Sequence, residues 1–565
     1  MRIQIFYILL MNATVLFFTN VSLAQDVNLA WVGAISGYPN DIEVDNYGNV
    51  YTVGYFSGTV DFDPGPGISS MTSNGQLDIF VHKFDANGNF LWVRTFGGSS
   101  DDNPHYIISD DNDNVYITGK FQDTVDFDPG VGVYPFIAQM YASNVFILKL
   151  DSSGDLVWVK SLEGSDIAYG TCLAFDLSGN ICLTGSFRSG VDFDPGPANS
   201  WVGSSGSGDV FVLKLDTQGD FIWVKTFGGQ GQDTGVHIAI DDSDNIYVAG
   251  DFAGTTDFDP GAGVNSLSSS GQADVFIQKL DSNGNFIWVK SFGDTLMERC
   301  LEMTLDASSN IYLTGYYDGS VDFDPGLGTF MLSTNGYDEI YVQKLNSEGD
   351  FLWAKSMGGI HQDWGYSLIT DNNGNVFITG AFAGTVDFDP GSGVLMIAAE
   401  SNDAFLQKLD DAGDLLWCET FGGIGGTTGT SVTIDASGVL YLTGKYYDSV
   451  DFDLGLGTNF LESNQGDAFV VKLFEGSASL DPDLEIEFTC TLFPNPSSGN
   501  FKMEWEGDCT SVTVQIKSLS GNLIYQGTSQ DQNLYFSIDG VTSGMYIVEI
   551  ITDTGIHKVE KLIIQ

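Results

Sequence analysis

Asp257-Phe-Asp-Pro-Gly261 is one of six copies of the same five residues; a seventh, at Asp451, has Leu in place of Pro. The copies begin at Asp61, Asp126, Asp192, Asp257, Asp322, Asp387 and Asp451, at intervals of 65, 66, 65, 65, 65 and 64 residues. So even an interval means that one supersecondary unit is repeated seven times. Outward from Asp257, Val236–Ile240 alternates as a strand, Asp241-Asp-Ser-Asp-Asn245 is a turn cluster, and Ile246–Phe252 is a second strand. Beyond the motif, Asp274–Leu280 reads as a third strand. Asp281-Ser-Asn-Gly-Asn285 is a turn with Gly284 where positive φ is needed, and Phe286–Lys290 is a fourth strand. Two hairpins per unit make a four-stranded antiparallel sheet. Seven such sheets around an axis make an all-β, seven-bladed β-propeller.

The ends of the repeat predict how the ring closes. A fourth-strand Trp recurs at Trp92, Trp158, Trp223, Trp288, Trp353 and Trp417, but none follows the seventh third strand, Asp467–Leu473. A lone copy, Ala30-Trp31-Val32, lies near the N-terminus. The N-terminal strand is therefore expected to be the outer strand of blade seven, which removes a free sheet edge. An open solenoid would want dissimilar caps instead.

Among 565 residues, 43% are hydrophobic, with 40 Phe, 23 Tyr and 10 Trp, which excludes disorder. The formal charge of -54 argues against nucleic acid and anionic membrane surfaces as partners, because both need a basic footprint. It favours solubility and attraction for cations. Arg2, the apolar run Ile3–Phe18 and Ser22-Leu-Ala24 read as a signal peptide over residues 1–24. No later stretch is long and apolar enough for a transmembrane anchor. The six Cys ignore the repeat, and their spacing suggests no zinc site. Spacing alone leaves open whether Cys490 and Cys509 form a disulfide.

The unit resembles the bacterial beta-propeller repeat family through Gly48-Asn-Val-Tyr51, Asp78-Ile-Phe-Val-His-Lys-Phe84 and their six further variants, over about residues 29–475. The resemblance implies the fold and little about function. The propeller is assigned to residues 25–475 and an acidic linker with Pro482 to residues 476–485. Short alternating strands over residues 486–565 predict a small β-sandwich. Pro494-Asn495-Pro496, Leu519-Ser-Gly521, Ser543-Gly544-Met-Tyr546-Ile-Val548 and Lys561-Leu-Ile-Ile-Gln565 resemble the C-terminal sorting domain of the type IX secretion system. That resemblance implies passage through the periplasm and across the outer membrane on the type IX machinery. Such domains are commonly removed afterwards, leaving the cargo surface-attached or released.

The loops that precede each first strand and those that join the second and third strands share one face, and both are long, so function is expected there. One reading of the motif is calcium held by Asp61, Asp126, Asp192, Asp257, Asp322, Asp387 and Asp451. The other, which is preferred, is a type II turn at Asp63-Pro64-Gly65 with Phe62 as a core plug. The hairpin cluster at Asp241 faintly resembles a calcium loop but lacks the downstream Glu, so turn chemistry is preferred there too. Candidate ligand contacts are the residues that break the repeat: His105, Tyr106, Arg299, His361, Asp363 and Trp364, with Trp201 outside the Trp series and Val133–Ile137 as an apolar patch. No nucleophile elbow or zinc-protease helix is present. The function expected is a non-enzymatic surface binder of an extracellular glycan or protein. The alternative is a polysaccharide-active enzyme with its site at the channel mouth.

Overall fold

The second and third strands of each unit are apolar on both faces, so each sheet needs a neighbour on either side. In blade four, Ile246–Phe252 and Asp274–Leu280 are buried along their whole length, while the flanking Thr234–Ile240 and Phe286–Phe292 are half-buried. The computed structural model describes residues 27–130, 132–454, 458–476, 489–493, 500–506, 511–518, 523–530, 533–537, 544–552 and 557–564. Within them, seven four-stranded antiparallel sheets stand around an axis, each ordered first to fourth strand from the inside out. Neighbouring blades share cores: Tyr247, Ala249 and Ile277 of blade four pack with Ile311, Leu313 and Tyr341 of blade five. Burying a side chain of this size stabilises by about 1.5–3 kcal/mol.

Closure follows the sequence reading. Val27–Ile35 pairs antiparallel with Phe460–Glu475 as the outer strand of blade seven, with Trp31 opposite Lys472. A repeated latch joins the blades. Lys83 Nζ and Trp92 Nε1 of blade one both donate to the Ser152 carbonyl in the outer turn of blade two, at 3.1 and 3.2 Å. At the closing junction Lys472 Nζ and Trp31 Nε1 donate to Ala86 O of blade one, at 2.9 and 3.2 Å. Blade seven has no turn between its third and fourth strands, because the fourth comes from the other end of the ring. There the Glu475 carboxylate stands in for the turn carbonyl and accepts from Lys408 Nζ at 2.6 Å and Trp417 Nε1 at 2.7 Å.

The connections that carry the motif are not irregular loops. Each forms a two-stranded ribbon, such as Thr255–Asp257 with Ser266–Ser268. The motif Phe is fully buried in all seven blades. Its carbonyl is capped in blade one by His82 Nε2 at 2.9 Å and in blade five by Gln343 Nε2 at 2.6 Å. The ribbon of blade four also pairs with the outer strand of blade three, Gly228 opposite Asp257 and Gly229 opposite Thr256, and so covers part of that edge. A Cβ on Gly229 would stand 2.2 Å from Thr255 O, so the close approach needs glycine.

Residues 478–565 form a separate compact unit. It holds a three-stranded sheet (Thr489–Phe493, Asn500–Glu506, Asn533–Ser537) and a four-stranded one (Val512–Ser518, Leu523–Ser529, Gly544–Thr552, His557–Ile564). Phe501, Met503 and Phe536 of the first meet Val514, Ile516 and Val548 of the second in one apolar cluster. Gly544 pairs with Ile564, Lys561 with Ile547, and Tyr546 is buried. Residues 1–24, Pro494 to Pro496, Gly521, Cys509 and most of the 476–485 linker lie outside the described residues, as does the Cys490 side chain. Among the described residues no helix is long and apolar enough to cross a membrane.

Deleting residues 25–35 is expected to open blade seven, giving aggregation and loss of a single cooperative thermal transition. Trp31→Ala, which keeps the strand, should cost about 2–3 kcal/mol in denaturant melts. A cooperative melt unchanged by the deletion would refute this mode of closure.

Candidate functional site

The seven motif carboxylates serve their own ribbons. Asp257 Oδ1 accepts from the backbone N–H of Asp259 at 3.2 Å and of Asn265 at 2.8 Å. Asp259 Oδ1 accepts from Gly261 N at 2.7 Å. The first pair of bonds recurs at Asp61, Asp126, Asp192, Asp322, Asp387 and Asp451. The expected type II turn is corrected: Gly65 and its equivalents in the described residues do not take positive φ. The second Asp makes an Asx turn instead. Glycine is demanded by that carboxylate, because a Cβ on Gly263 would lie 2.0 Å from Asp259 Oδ2. Each ribbon is thus ordered by its own carboxylate–amide bonds. Among the described residues no group of three or more His, Cys, Asp or Glu is gathered to hold a metal.

The hairpin aspartates form the opposite face. Asp241 Oδ1 accepts from Ser243 N and Asn245 N, both at 2.9 Å, as a turn residue does. Its other oxygen faces Tyr247 OH at 3.1 Å and Lys279 Nζ at 3.7 Å. Lys279 lies 4.7 Å from the Tyr247 ring centroid and donates to Ser347 O of blade five at 3.1 Å.

On the long-loop face a second set of acids is buried between blades. Asp102 accepts from Gly98 N and Gln122 N, at 2.7 and 2.9 Å. Asp363 accepts from Gly359 N and Ala383 N, at 2.8 and 2.9 Å. Asp233 and Glu298 hold the corresponding places. Behind each lies a second buried acid: Asp78, Glu339, Asp209 and Asp274 respectively. Burial, followed by a like-charge neighbour (for Glu298 the half-buried Asp294 ahead of Asp274), pushes Asp102 up to about 7, Asp233 and Asp363 to about 6, and Glu298 to about 8, against the backbone bonds that favour the anion. Asp363, read as a ligand candidate, is placed in this framework.

The channel breaks the sevenfold pattern. Every first strand carries a bulge, and the side chains just past it line the axis. Asp41, Tyr106, His237, Glu302, Ser367 and Ser431 surround a cavity of about 200 Å³. Asp41 accepts from Ser431 Oγ at 2.7 Å, Ile42 N at 2.9 Å and Ile107 N at 2.9 Å. Glu43 accepts from Ser109 Oγ at 2.7 Å. Burial raises both carboxyls to about 7. His237 Nε2 touches Glu302 Oε1, and Tyr106 packs edge-on against the His237 ring at 5.5 Å. His105 points elsewhere: its Nδ1 meets Gly170 O of the next blade at 2.7 Å, and burial lowers its pKa to about 4.

At the start of the first strands, one register position pairs with the end of each second strand. The seven pairs are Tyr38/Tyr55, Asn103/Lys120, Tyr169/Ser186, Thr234/Asp251, Arg299/Tyr316, Trp364/Ala381 and Thr428/Lys445. This ring is the channel mouth. Arg299 reaches back to Asp251 at 2.7 Å, and burial outweighs that pairing to leave Asp251 at about 6. Trp364 packs against Tyr316 with the rings tilted and their centroids 5.7 Å apart, and donates Nε1 to Asp338 Oδ2 at 3.1 Å. His361 and Trp364 line a cleft of about 380 Å³ with Tyr337, Gln362, Ala381, Ala383 and Asn402. Trp201 stands apart on the blade-three ribbon, opposite Asp192 and 53% exposed. Val133, Tyr134 and Ile137 are exposed on the blade-two ribbon, whereas Phe136 packs inward. Apart from Asp363 and Tyr106, the buried acids and the channel groups escaped the sequence reading. Comparing repeats at a fixed offset carries the signal, since Asp102, Asp233, Glu298 and Asp363 share one repeat position.

Two family models match parts of the chain in agreement with this architecture. Residues 491–565 match the secretion system C-terminal sorting domain, and residues 222–251, within blades three and four, match the beta-propeller repeat. The chain is 23% identical over 511 residues to an uncharacterized WD repeat-containing protein of Acanthamoeba polyphaga mimivirus, covering 75% of this chain and 36% of that one. It is 23% identical over 458 residues to the regulatory protein FlaEY of Caulobacter vibrioides, covering 74% and 45%. The chain thus spans less than half the length of these curated relatives. Solved structures that align with it include the extracellular domain of a putative one-component system from B. thetaiotaomicron, at 11% identity and TM-score 0.16 over 96% of this chain and 99% of that one. PorZ, a surface component of the type-IX secretion system of Porphyromonas gingivalis, aligns at 11% identity and TM-score 0.15 over 95% and 100%. The chain is therefore a propeller of beta-propeller repeats. It carries a type IX sorting domain, which makes it a secreted or outer-surface protein.

The buried acids give a pH dependence of known sign. A raised pKa means that the fold keeps a proton which the unfolded carboxyl, at about 4, has already lost. Their stabilising contribution is complete below about pH 4 and is lost as pH rises through about 6 to 8. The melting temperature is expected to fall from pH 5 to pH 8, and Glu298→Gln should flatten that slope. A melting temperature that rises over this range would contradict the assignment.

Proposed function

We propose that the protein is a non-enzymatic binding or adhesion scaffold, carried to the cell exterior by its C-terminal domain and engaging its ligand at the channel mouth. One observation carries this reading. Groups that fix the ring recur from blade to blade, whereas the mouth pairs differ in every blade and include Tyr38, Tyr169, Arg299, Tyr316, Trp364 and Lys445. A rigid scaffold that displays variable aromatic and charged groups at one opening suits recognition.

The enzyme reading draws on Asp41, Glu43 and Glu302 in the channel. Glycoside hydrolysis needs two carboxyl groups about 5–9 Å apart astride a bound sugar. Asp41 and Glu43 are occupied by backbone and serine donors, and the cavity they border, about 200 Å³, is below the usual ligand-pocket range of about 300–1,000 Å³. Binding is thus the better-supported reading.

Two outcomes are expected. The chain cut before residue 486 should fold as a propeller but stay in the periplasm, as read by fractionation; normal surface delivery would exclude the sorting role. The mature chain should bind on a glycan or protein array without degrading polysaccharide in a hydrolysis screen. Turnover abolished by Glu302→Gln would establish the enzyme instead.

A further inference from the structure

The cleft at the junction of blades five and six is bordered by Ala381, where one repeat position is emptied. At three junctions the residue ending a second strand is covered by the start of the next blade. Asp251 is covered by Arg299 at 2.7 Å, Tyr316 by Trp364 at 5.7 Å, and the Lys445 ammonium lies 3.8 Å from the Tyr38 ring. In blade six that position is Ala381, and the next blade offers only Thr428. The space that a charged or aromatic side chain fills at those three junctions is left open at Ala381, beside a cleft of about 380 Å³.

The walls are suited to one kind of ligand. Tyr337 presents a ring that is 64% exposed. The indole of Trp364 is fixed by Asp338 beneath it, and Gln362 Nε2 is fixed by the same carboxylate at 3.0 Å, which leaves its amide oxygen as an acceptor toward the cleft. Asn402 and His361 add donors and acceptors on the remaining walls. Among the described residues no Asp, Glu, Lys or Arg lines the cleft. An exposed aromatic face beside neutral amides complements a ring with apolar C–H faces and hydroxyl edges. The charge of -54 opposes anionic ligands.

Resting on the binding reading above, we propose that this cleft binds a neutral saccharide unit, its C–H face on Tyr337 and its hydroxyls on Gln362, Asn402 and His361. The test uses the mature full chain, titrated with neutral oligosaccharides (gluco-, manno-, galacto- and xylo-configured) and with uronate oligosaccharides, by saturation-transfer NMR and calorimetry. Two variants accompany it. Tyr337→Ala removes the exposed ring. Ala381→Tyr restores the side chain that blade five carries at this position, so the fold tolerates it. At least one neutral series should bind, the uronates at least tenfold more weakly, and both variants should lose at least tenfold in affinity with an unchanged melting temperature. Saccharide binding with full affinity in both variants, or equal binding of uronates, would overturn the proposal. If no saccharide binds while the chain still adheres to cell surfaces, the saccharide inference fails and the binding reading survives. Turnover of any oligosaccharide would remove the binding reading itself.

Discussion

A lysine ammonium buried in each blade holds the ring in register. It sits on the third strand, faces the hairpin aspartate of its own blade at 2.8–4.0 Å in six of seven cases, and in six lies against the second-strand aromatic, Cys182 standing opposite Lys214 in blade three. From there five of the seven reach a backbone carbonyl in the outer turn of the next blade. Buried ion pairs add little net stability, because desolvation offsets their attraction, but breaking one strands the other charge and is costly. The pair therefore acts mainly on geometry. A strand that slipped by one residue would turn its lysine to the opposite face and leave the aspartate alone. Seven of the 21 Lys and Arg residues are committed to this latch.

On the opposite face, four of the blade junctions have the inverse chemistry. Carboxyl groups lie there in buried pairs without cations, and their raised pKa values let one proton take the place of a counter-charge. Glycines are part of this arrangement. A Cβ on Gly228 would stand 2.4 Å from the Asp209 carboxyl carbon, and one on Gly293 would meet both Asp274 and Glu298. The Gly-Gly step that follows four of the outer strands, at Gly97, Gly228, Gly358 and Gly422, is therefore a packing requirement, made by an acid behind it and a ribbon in front.

Period, strand count, closure by Trp31 and the sorting domain were legible in the sequence, because each rests on alternation or spacing along the chain. Arg299 and Trp364 were legible as departures from the repeat, and the structure sets them at one register position. The ribbons were not, because three-residue strands such as Thr255–Asp257 fall below any periodicity signal, and their order comes from Asp257 bonding an amide eight residues on. His105 misled for a related reason. The bulge in its strand shifts the alternation by one, so it turns to Gly170 O while Tyr106 takes the axis. Glu475 was invisible as a latch, because it replaces a turn that only ring closure shows to be missing.

The separation of framework from mouth has a further physical consequence. Blade position is fixed by lysine, tryptophan and buried acids that lie away from the mouth pairs. Exchanging a mouth residue therefore alters few of the contacts that hold the ring, and surface exchanges of that kind usually change stability by about 0.5 kcal/mol or less. Within this one chain the same register position already holds Tyr, Asn, Thr, Arg and Trp on equivalent backbones. The seven repeats are thus internal controls for one another. What they share is what folding demands, and what differs at the mouth is free of that demand.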